Sequence, residues 1–185
     1  MVDFEKIKEL FETQKLELKK SLSLQKEGLS SLCGMINTDS AIGQVIFGIS
    51  PDMEIVGVGK DNLDTIQLGL AQTIHNKFDP KIIADIQIIE YNGLKVVSVQ
   101  ASRSIENAYH EFDGRAFMRE GSLTRILKIS EKESLSKKRN REKHNGPWKC
   151  DKCGTQCGTL NSVELTDKGM RKTFNHHCGG EFWPI

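Results

Sequence analysis

Two apolar-rich runs, residues 84–91 and 94–99, flank Asn92-Gly93, the dipeptide preferred in a two-residue hairpin turn. The runs are expected to pair as antiparallel neighbours and to supply sheet core, so any fold for this chain must be built around that hairpin.

Around it, the hydrophobic pattern alternates between helical and extended periods. Asp3 is placed to cap a first helix whose stripe is Phe4, Ile7, Leu10 and Phe11. A strand follows over about Lys15–Leu22, in which Leu16 and Leu18 alternate with Glu17 and Lys19. The next helix, Gln25–Ile36, carries Leu29, Leu32, Cys33 and Ile36 on one face, with Cys33 read as a small buried hydrophobe. A turn at Asn37-Thr38-Asp39-Ser40 leads into a β-rich run from Gly43 to Ser50, which turns at Pro51-Asp52-Met53 and returns through Glu54–Val58 as its partner strand. Asn62 or Asp61 caps a helix with Leu63, Ile66, Leu70, Ile74 and Phe78 inward. After a polar, irregular stretch from Ala101 to Asp113, Arg115–Arg119 reads as a strand. Gly121-Ser122-Leu123-Thr124-Arg125 then reads as a tight turn into a helix start, either a plain cap or a place where backbone amides, two hydroxyls and Arg125 face a phosphate. Ser130–His144 reads as a helix fraying into a basic linker. The class implied is α/β, a mixed sheet with packed helices. There are no internal repeats, which excludes solenoids.

Lys and Arg number 26 against 25 Asp and Glu, so net charge favours no partner and only local clusters of charge can steer a polyanion. No apolar run approaches the ~18 residues of a membrane span, and the start lacks a signal-peptide pattern, so a soluble cytoplasmic protein is expected. Four of the five cysteines lie from Cys150 onward, a crowding that suits metal ligation better than a disulfide framework.

The strand face bearing Glu17 and Lys19 is the most chemically loaded stretch. Glu12 lies close enough in sequence to swing its carboxylate beside Glu17, and two such groups attract a proton or a divalent cation. With Lys19 to meet a phosphate, this is the minimum equipment for cutting a phosphodiester. The plainer reading is a solvated face with ordinary charges. In the tail, Cys150-Asp151-Lys152-Cys153-Gly154 is a zinc knuckle awaiting a second ligand pair. Cys178 supplies one ligand and His176 the other, since residues two apart share a face of a strand; His177 and Cys157 are the alternatives. Val163–Leu165 and Lys172–Phe174 look like the hairpin of a zinc ribbon, a module too small to fold without its metal.

Three pieces in order, Glu12-x-x-x-Leu16-Glu17-x-Lys19-x-Ser21, Asn37-Thr38 with Val45–Ile49 and Glu54–Gly57, and Arg119-x-Gly121-Ser122-x-Thr124-Arg125, resemble the Schlafen AlbA-like domain over roughly residues 5–130. The resemblance implies a nucleic-acid-binding α/β domain and, in the Schlafen ribonucleases, an acidic trio that cleaves tRNA or rRNA. Glu12 and Glu17 fall on the first two acids, with Lys19 following. Asp52 reaches the third only with a shift in register, and Asp39-Ser40-Ala41-Ile42 replaces the usual paired glycines. An ATP site is not supported, because Gly59-Lys60 is followed by Asp61 and Glu54 stands where a phosphate loop has its first glycine.

The expected organisation is a Schlafen AlbA-like domain at residues 1–130, a charged helix and basic linker at 131–147, and a zinc ribbon at 148–185. The expected role is binding of nucleic acid, with RNA favoured over DNA by the resemblance, and Lys19, Lys20, Arg119, Ser122, Thr124 and Arg125 meeting phosphates. Alternatives are an endoribonuclease holding Mg²⁺ or Mn²⁺ on Glu12, Glu17 and Asp52, and an adaptor docking a protein through the ribbon. A symmetric homodimer rebuilding the two-copy Schlafen cradle is the further expectation.

Overall fold

The computed structural model describes residues 12–59, 62–104 and 106–144, and in the tail only the backbone of five strands. The first helix expected from the sequence lies outside the described residues. The elements are β1 (Leu16–Lys19), α1 (Gln25–Ile36) after a short 3₁₀ turn, β2 (Ile42–Phe47), α2 (Leu63–Lys77), β3 (Phe78–Asp79), β4 (Ala84–Tyr91), β5 (Leu94–Ser102), β6 (Glu111–Phe112), β7 (Arg115–Glu120), β8 (Leu123–Ile126) and α3 (Ile129–His144). In the tail come β9 (Trp148–Cys150), β10 (Gln156–Cys157), β11 (Ser162–Thr166), β12 (Gly169–Thr173) and β13 (Phe182–Pro184). The chain divides into two compact units, Met1–Lys132 and Glu133–Ile185.

The first unit has two four-stranded sheets, ordered β1-β2-β5-β4 and β3-β6-β7-β8. The first sheet is mixed: β1 runs parallel to β2 across the α1 crossover, while β2 with β5 and β5 with β4 are antiparallel. Its β4–β5 hairpin turns at Asn92-Gly93, where φ is 50° and 75°, the left-handed values that this dipeptide tolerates. β5 is the buried partner, whereas β4 is the half-exposed edge of the sheet.

Helix α1 packs against both sheets, which explains why it is buried beyond the expected stripe and includes Gly28, Ser31, Gly34 and Met35 in its interior. A Cβ at Gly28 would come 2.8 Å from the Phe47 ring, and one at Gly34 would come 3.2 Å from the backbone of Arg119. Leu29, Leu32, Cys33, Met35 and Ile36 form a core with Val45, Phe47, Val97, Val99 and Phe112, to which α2 adds Leu70 and Ile74. Each such side chain contributes on the order of 1.5–3 kcal/mol by leaving water. Asn62 caps α2 by accepting from the Asp64 N–H at 3.0 Å.

The far face of the first sheet is closed by Leu18, Ile46, Ile49 and Val96, with Met53 and Ile55 packed on them. The segment 54–58 is not the expected strand. It makes one isolated bridge, Ile49↔Ile55, and then crosses to donate from Val58 to the Lys95 carbonyl at 2.8 Å. The backbones of Gly48 and Gly57 touch there at positive φ, so the chain bends where a longer hairpin would have continued. β2 finds its antiparallel partner in β5 instead.

The Gly121-Ser122 turn also differs from expectation. It joins β7 to β8 in an antiparallel hairpin with Glu120 opposite Leu123, and no helix starts there. Gly121 at φ 60° supplies the left-handed step, and the amides beyond it enter the ladder. The tail of the chain, in the second unit, forms a five-stranded antiparallel sheet ordered β10-β9-β13-β12-β11.

Candidate functional site

The alternation of β1 places Leu16 and Leu18 on one face and Glu17 and Lys19 on the other, as the sequence implies. The Glu17 face is an interior one. It looks toward α1 and β7, so Glu17 is only 4% exposed. The electrostatic counterpart is Arg119 on β7, 1% exposed, whose Nη2 lies 2.5 Å from Glu17 Oε2. Lys19 also pairs with Glu17 through its Oε1. Arg119 Nε donates to the carbonyls of Thr13 (3.3 Å) and Gly121 (3.0 Å), and Nη1 donates to Thr124 Oγ1 at 2.9 Å. Thr124 in turn donates to Ser31 of α1 at 3.1 Å. The approach to β1, the turn after β7, and α1 are thereby tied to one guanidinium.

Arg125 does not join this cluster. It sits opposite Met118 in the ladder while Arg119 sits opposite Thr124, so the two arginines emerge on opposite faces of the β7–β8 hairpin. Arg125 instead binds Glu120 (2.6 Å) and Glu131 (2.8 Å), which push its pKa further up, with Glu131 the larger cause. The same contact holds the Glu131 carboxyl below the usual range.

The three carboxylates considered for a shared ion are not assembled. Glu17 is occupied by Arg119 and Lys19. Glu12 Oε1 accepts from the Leu18 N–H at 3.2 Å, and Asp52 is exposed on its turn. Among the described residues no group of three or more His, Cys, Asp or Glu side chains is placed to hold a metal ion.

What does converge is a cavity of about 560 Å³ beside β1. Glu12, Lys19, Lys20, Ser50 and Ser122 supply its polar lining, and Leu18, Leu24, Pro51 and Met53 its apolar one. Lys19, Lys20 and Ser122, all singled out in the sequence, are brought together across the two sheets. Leu24, Ser50 and Met53 were not, because their contribution depends on the path of the 50–54 turn. That turn is fixed by Ser50 N–H to Glu54 O (2.8 Å), Met53 N–H to Ser50 O (3.0 Å) and Glu54 N–H to Ser50 Oγ (3.2 Å).

Asn37 is a second node, fully buried, and its work is structural. Its Nδ2 donates to the carbonyls of His110 (2.8 Å) and Phe117 (2.9 Å), and its Oδ1 accepts from the His110 N–H at 2.8 Å. Thr38 Oγ1 closes the end of α1 on the Met35 carbonyl at 2.7 Å. The Asn37-Thr38 pair thus joins α1 to the loops around β6 and β7.

With this domain laid out, one comparison decides its kinship: the family described as Schlafen, AlbA_2 matches residues 12–128. The chain belongs to the Schlafen AlbA_2 family. No curated protein matches it. Among solved structures, the DIP2311 protein of Corynebacterium diphtheriae is similar at 16% identity and a TM-score of 0.49, over 68% of this chain and 24% of that one. The chain thus spans about a quarter of the Corynebacterium protein's length. The N-terminal domain of a RecG-related protein from Nitrosomonas europaea is similar at 17% identity and a TM-score of 0.47, over 68% of this chain and 92% of that one.

Beyond the Schlafen AlbA_2 domain, Cys150 ends β9 and Cys157 ends β10, while Cys153, His176, His177 and Cys178 lie outside the described residues. Of the two strands expected to form a hairpin there, Val163–Leu165 lies in β11 and Lys172 and Thr173 lie in β12, which pairs with it antiparallel, while Phe174 lies outside the described residues. No helix among the described residues is long and apolar enough to cross a membrane.

Proposed function

We propose that this Schlafen AlbA_2 protein binds nucleic acid through the phosphate backbone at the cavity beside β1, with RNA ahead of DNA. The observation that carries the reading is the meeting of Lys19, Lys20 and Ser122 at one concave site within a domain of this family. Lys20 is exposed and, among the described residues, has no carboxylate partner, so it is the cation to be met by an incoming phosphate. Lys19, shared with Glu17, adds local potential while staying anchored. Arg119 and Thr124 act behind the site by holding β1 and the Ser122 turn in place.

The test is retention of labelled tRNA and of duplex DNA by the purified chain over a salt series, beside Lys20→Ala. Binding should weaken steeply with salt, and the variant should lose affinity for both ligands with a shallower slope. Salt-independent or absent retention rejects the reading and moves docking of a protein partner to first place. Sedimentation with and without RNA tests the homodimer, which a monomer under both conditions rejects.

We also infer a structural zinc ion in the tail on Cys150, Cys153, Cys178 and His176. Three thiolates and an imidazole are a donor set that suits zinc, and the small antiparallel sheet containing Cys150 supports the assignment. The ion's contribution would be to the folding of the second unit. Elemental analysis of the full chain should find one zinc per chain, and a metal-free, folded tail would reject it.

A further inference from the structure

We propose that the cavity beside β1 is a pocket for one unpaired nucleotide of a single strand, its base on the apolar wall and its phosphate at Lys20. This rests on the nucleic-acid reading above and goes further, because a site that only grips backbone needs cations on an open surface and gains nothing from an apolar hollow.

Here the hollow is built. Its volume of about 560 Å³ lies within the range of small-ligand pockets. Leu18, Leu24, Pro51 and Met53 offer a surface for a flat ring, and Ser50 and Ser122 offer hydroxyls for its polar edge. Glu12, held in place by the Leu18 N–H, puts a negative charge in the lining that keeps a phosphate out of the pocket and leaves it to Lys20. A base stacked and paired inside a duplex cannot enter such a cavity. An unpaired one can, with its neighbours' phosphates outside.

Met53 also bears on how the wall is built. Its φ is 62°, a left-handed conformation that a long side chain rarely adopts. The hydrogen bonds of the 50–54 turn over-determine it. Glycine would fit that backbone more easily, but the thioether packs on the Leu18, Ile46, Ile49 and Val96 cluster and also lines the cavity, where it adapts well to aromatic faces.

The test uses the full chain and fluorescence anisotropy with three labelled ligands: a six-nucleotide single-stranded RNA, an abasic strand of the same charge, and a blunt duplex of the same sequence. The single strand should bind about tenfold more tightly than either control. Met53→Gly relieves the backbone but removes packing on the Leu18, Ile46, Ile49 and Val96 cluster as well as the wall, so Leu24→Ala, which alters a wall residue outside that cluster, is tested beside it. Leu24→Ala should keep the circular dichroism spectrum, and both variants should bring the single strand towards the affinity of the abasic one. Equal affinity for all three ligands overturns the pocket and leaves backbone binding standing, whereas no binding to any removes both. Displacement of the strand by AMP at matched nucleotide concentration would reassign the pocket to free nucleotides and overturn the single-strand assignment.

Discussion

Replacing Glu17 by Gln tests whether the ion pair with Arg119 is an interior support or a surface decoration. In the folded chain the guanidinium is 1% exposed, and among the described residues its one counter-charge is the Glu17 carboxylate, 2.5 Å from Nη2, its other partners being neutral oxygens of Thr13, Gly121 and Thr124. Removing that charge strands a buried cation, and breaking one side of such a pair costs about 3–5 kcal/mol. Since both groups are almost completely excluded from water, no discount for solvent screening applies. With a urea dependence of ~2 kcal/mol per molar, the unfolding midpoint should fall by roughly 1.5–2.5 M. Far-UV circular dichroism is the readout, because α1 and α2 both belong to the first unit. The double replacement Glu17→Leu with Arg119→Met should recover part of the loss, since apolar substitutes often match a buried pair, less the bonds that Arg119 gives to Thr13, Gly121 and Thr124. A midpoint shift below ~0.3 M for Glu17→Gln would refute the assignment of Arg119 as a cation that depends on Glu17.

Asn37→Ala removes the bonds to the His110 and Phe117 carbonyls, the weaker one to Cys33 Sγ and the one accepted from the His110 N–H at a fully buried site, so it should cost about 3 kcal/mol, read from the same urea titration. Burial pushes the Cys33 thiol up to about 12, so peptide mapping after iodoacetamide treatment at pH 8 should find Cys33 unmodified in the folded chain and alkylated in urea. Glu131 is held below the usual carboxylate range chiefly by Arg125, and Asp113 chiefly by Lys26. Their contribution to stability is therefore complete above the unfolded carboxylate pKa and is shed as pH falls below about 4. Melting temperature should drop on that acid limb, and Glu131→Gln should flatten the drop.

Local chemistry was legible where a neighbour in sequence decides it. Asn92-Gly93 dictates its own turn, α1 spans the expected Gln25–Ile36, and Asn62 caps α2. Legibility failed where a distant partner decides. Alternation separated Glu17 from Leu18 correctly, but whether the charged face meets water depends on Arg119, brought in from β7 by a different sheet. The Gly121-Ser122 stretch has the composition of a helix cap, and only the pairing of β8 with β7 makes it a hairpin. That pairing sends Arg125 away from Arg119, a consequence of strand parity that residue types alone do not carry. The cavity drew Lys19, Lys20 and Ser122 from the motifs, yet nothing in the sequence singled out Leu24, and Met53 read only as part of a turn; both become lining through the folded path of the 50–54 turn.

Gly28 and Gly34 let the α1 backbone come close to the Phe47 ring of the first sheet on one side and to the β7 backbone on the other. The helix therefore works as a gauge block: at these two points the gap between the layers is set by main-chain atoms, which do not hop between rotamers. Lys20 hangs from one layer and Ser122 from the other, so the width of the mouth between them is machined into the scaffold before any ligand arrives. Thickening the block by a single methyl at Gly34 would widen that mouth without altering one residue that lines it.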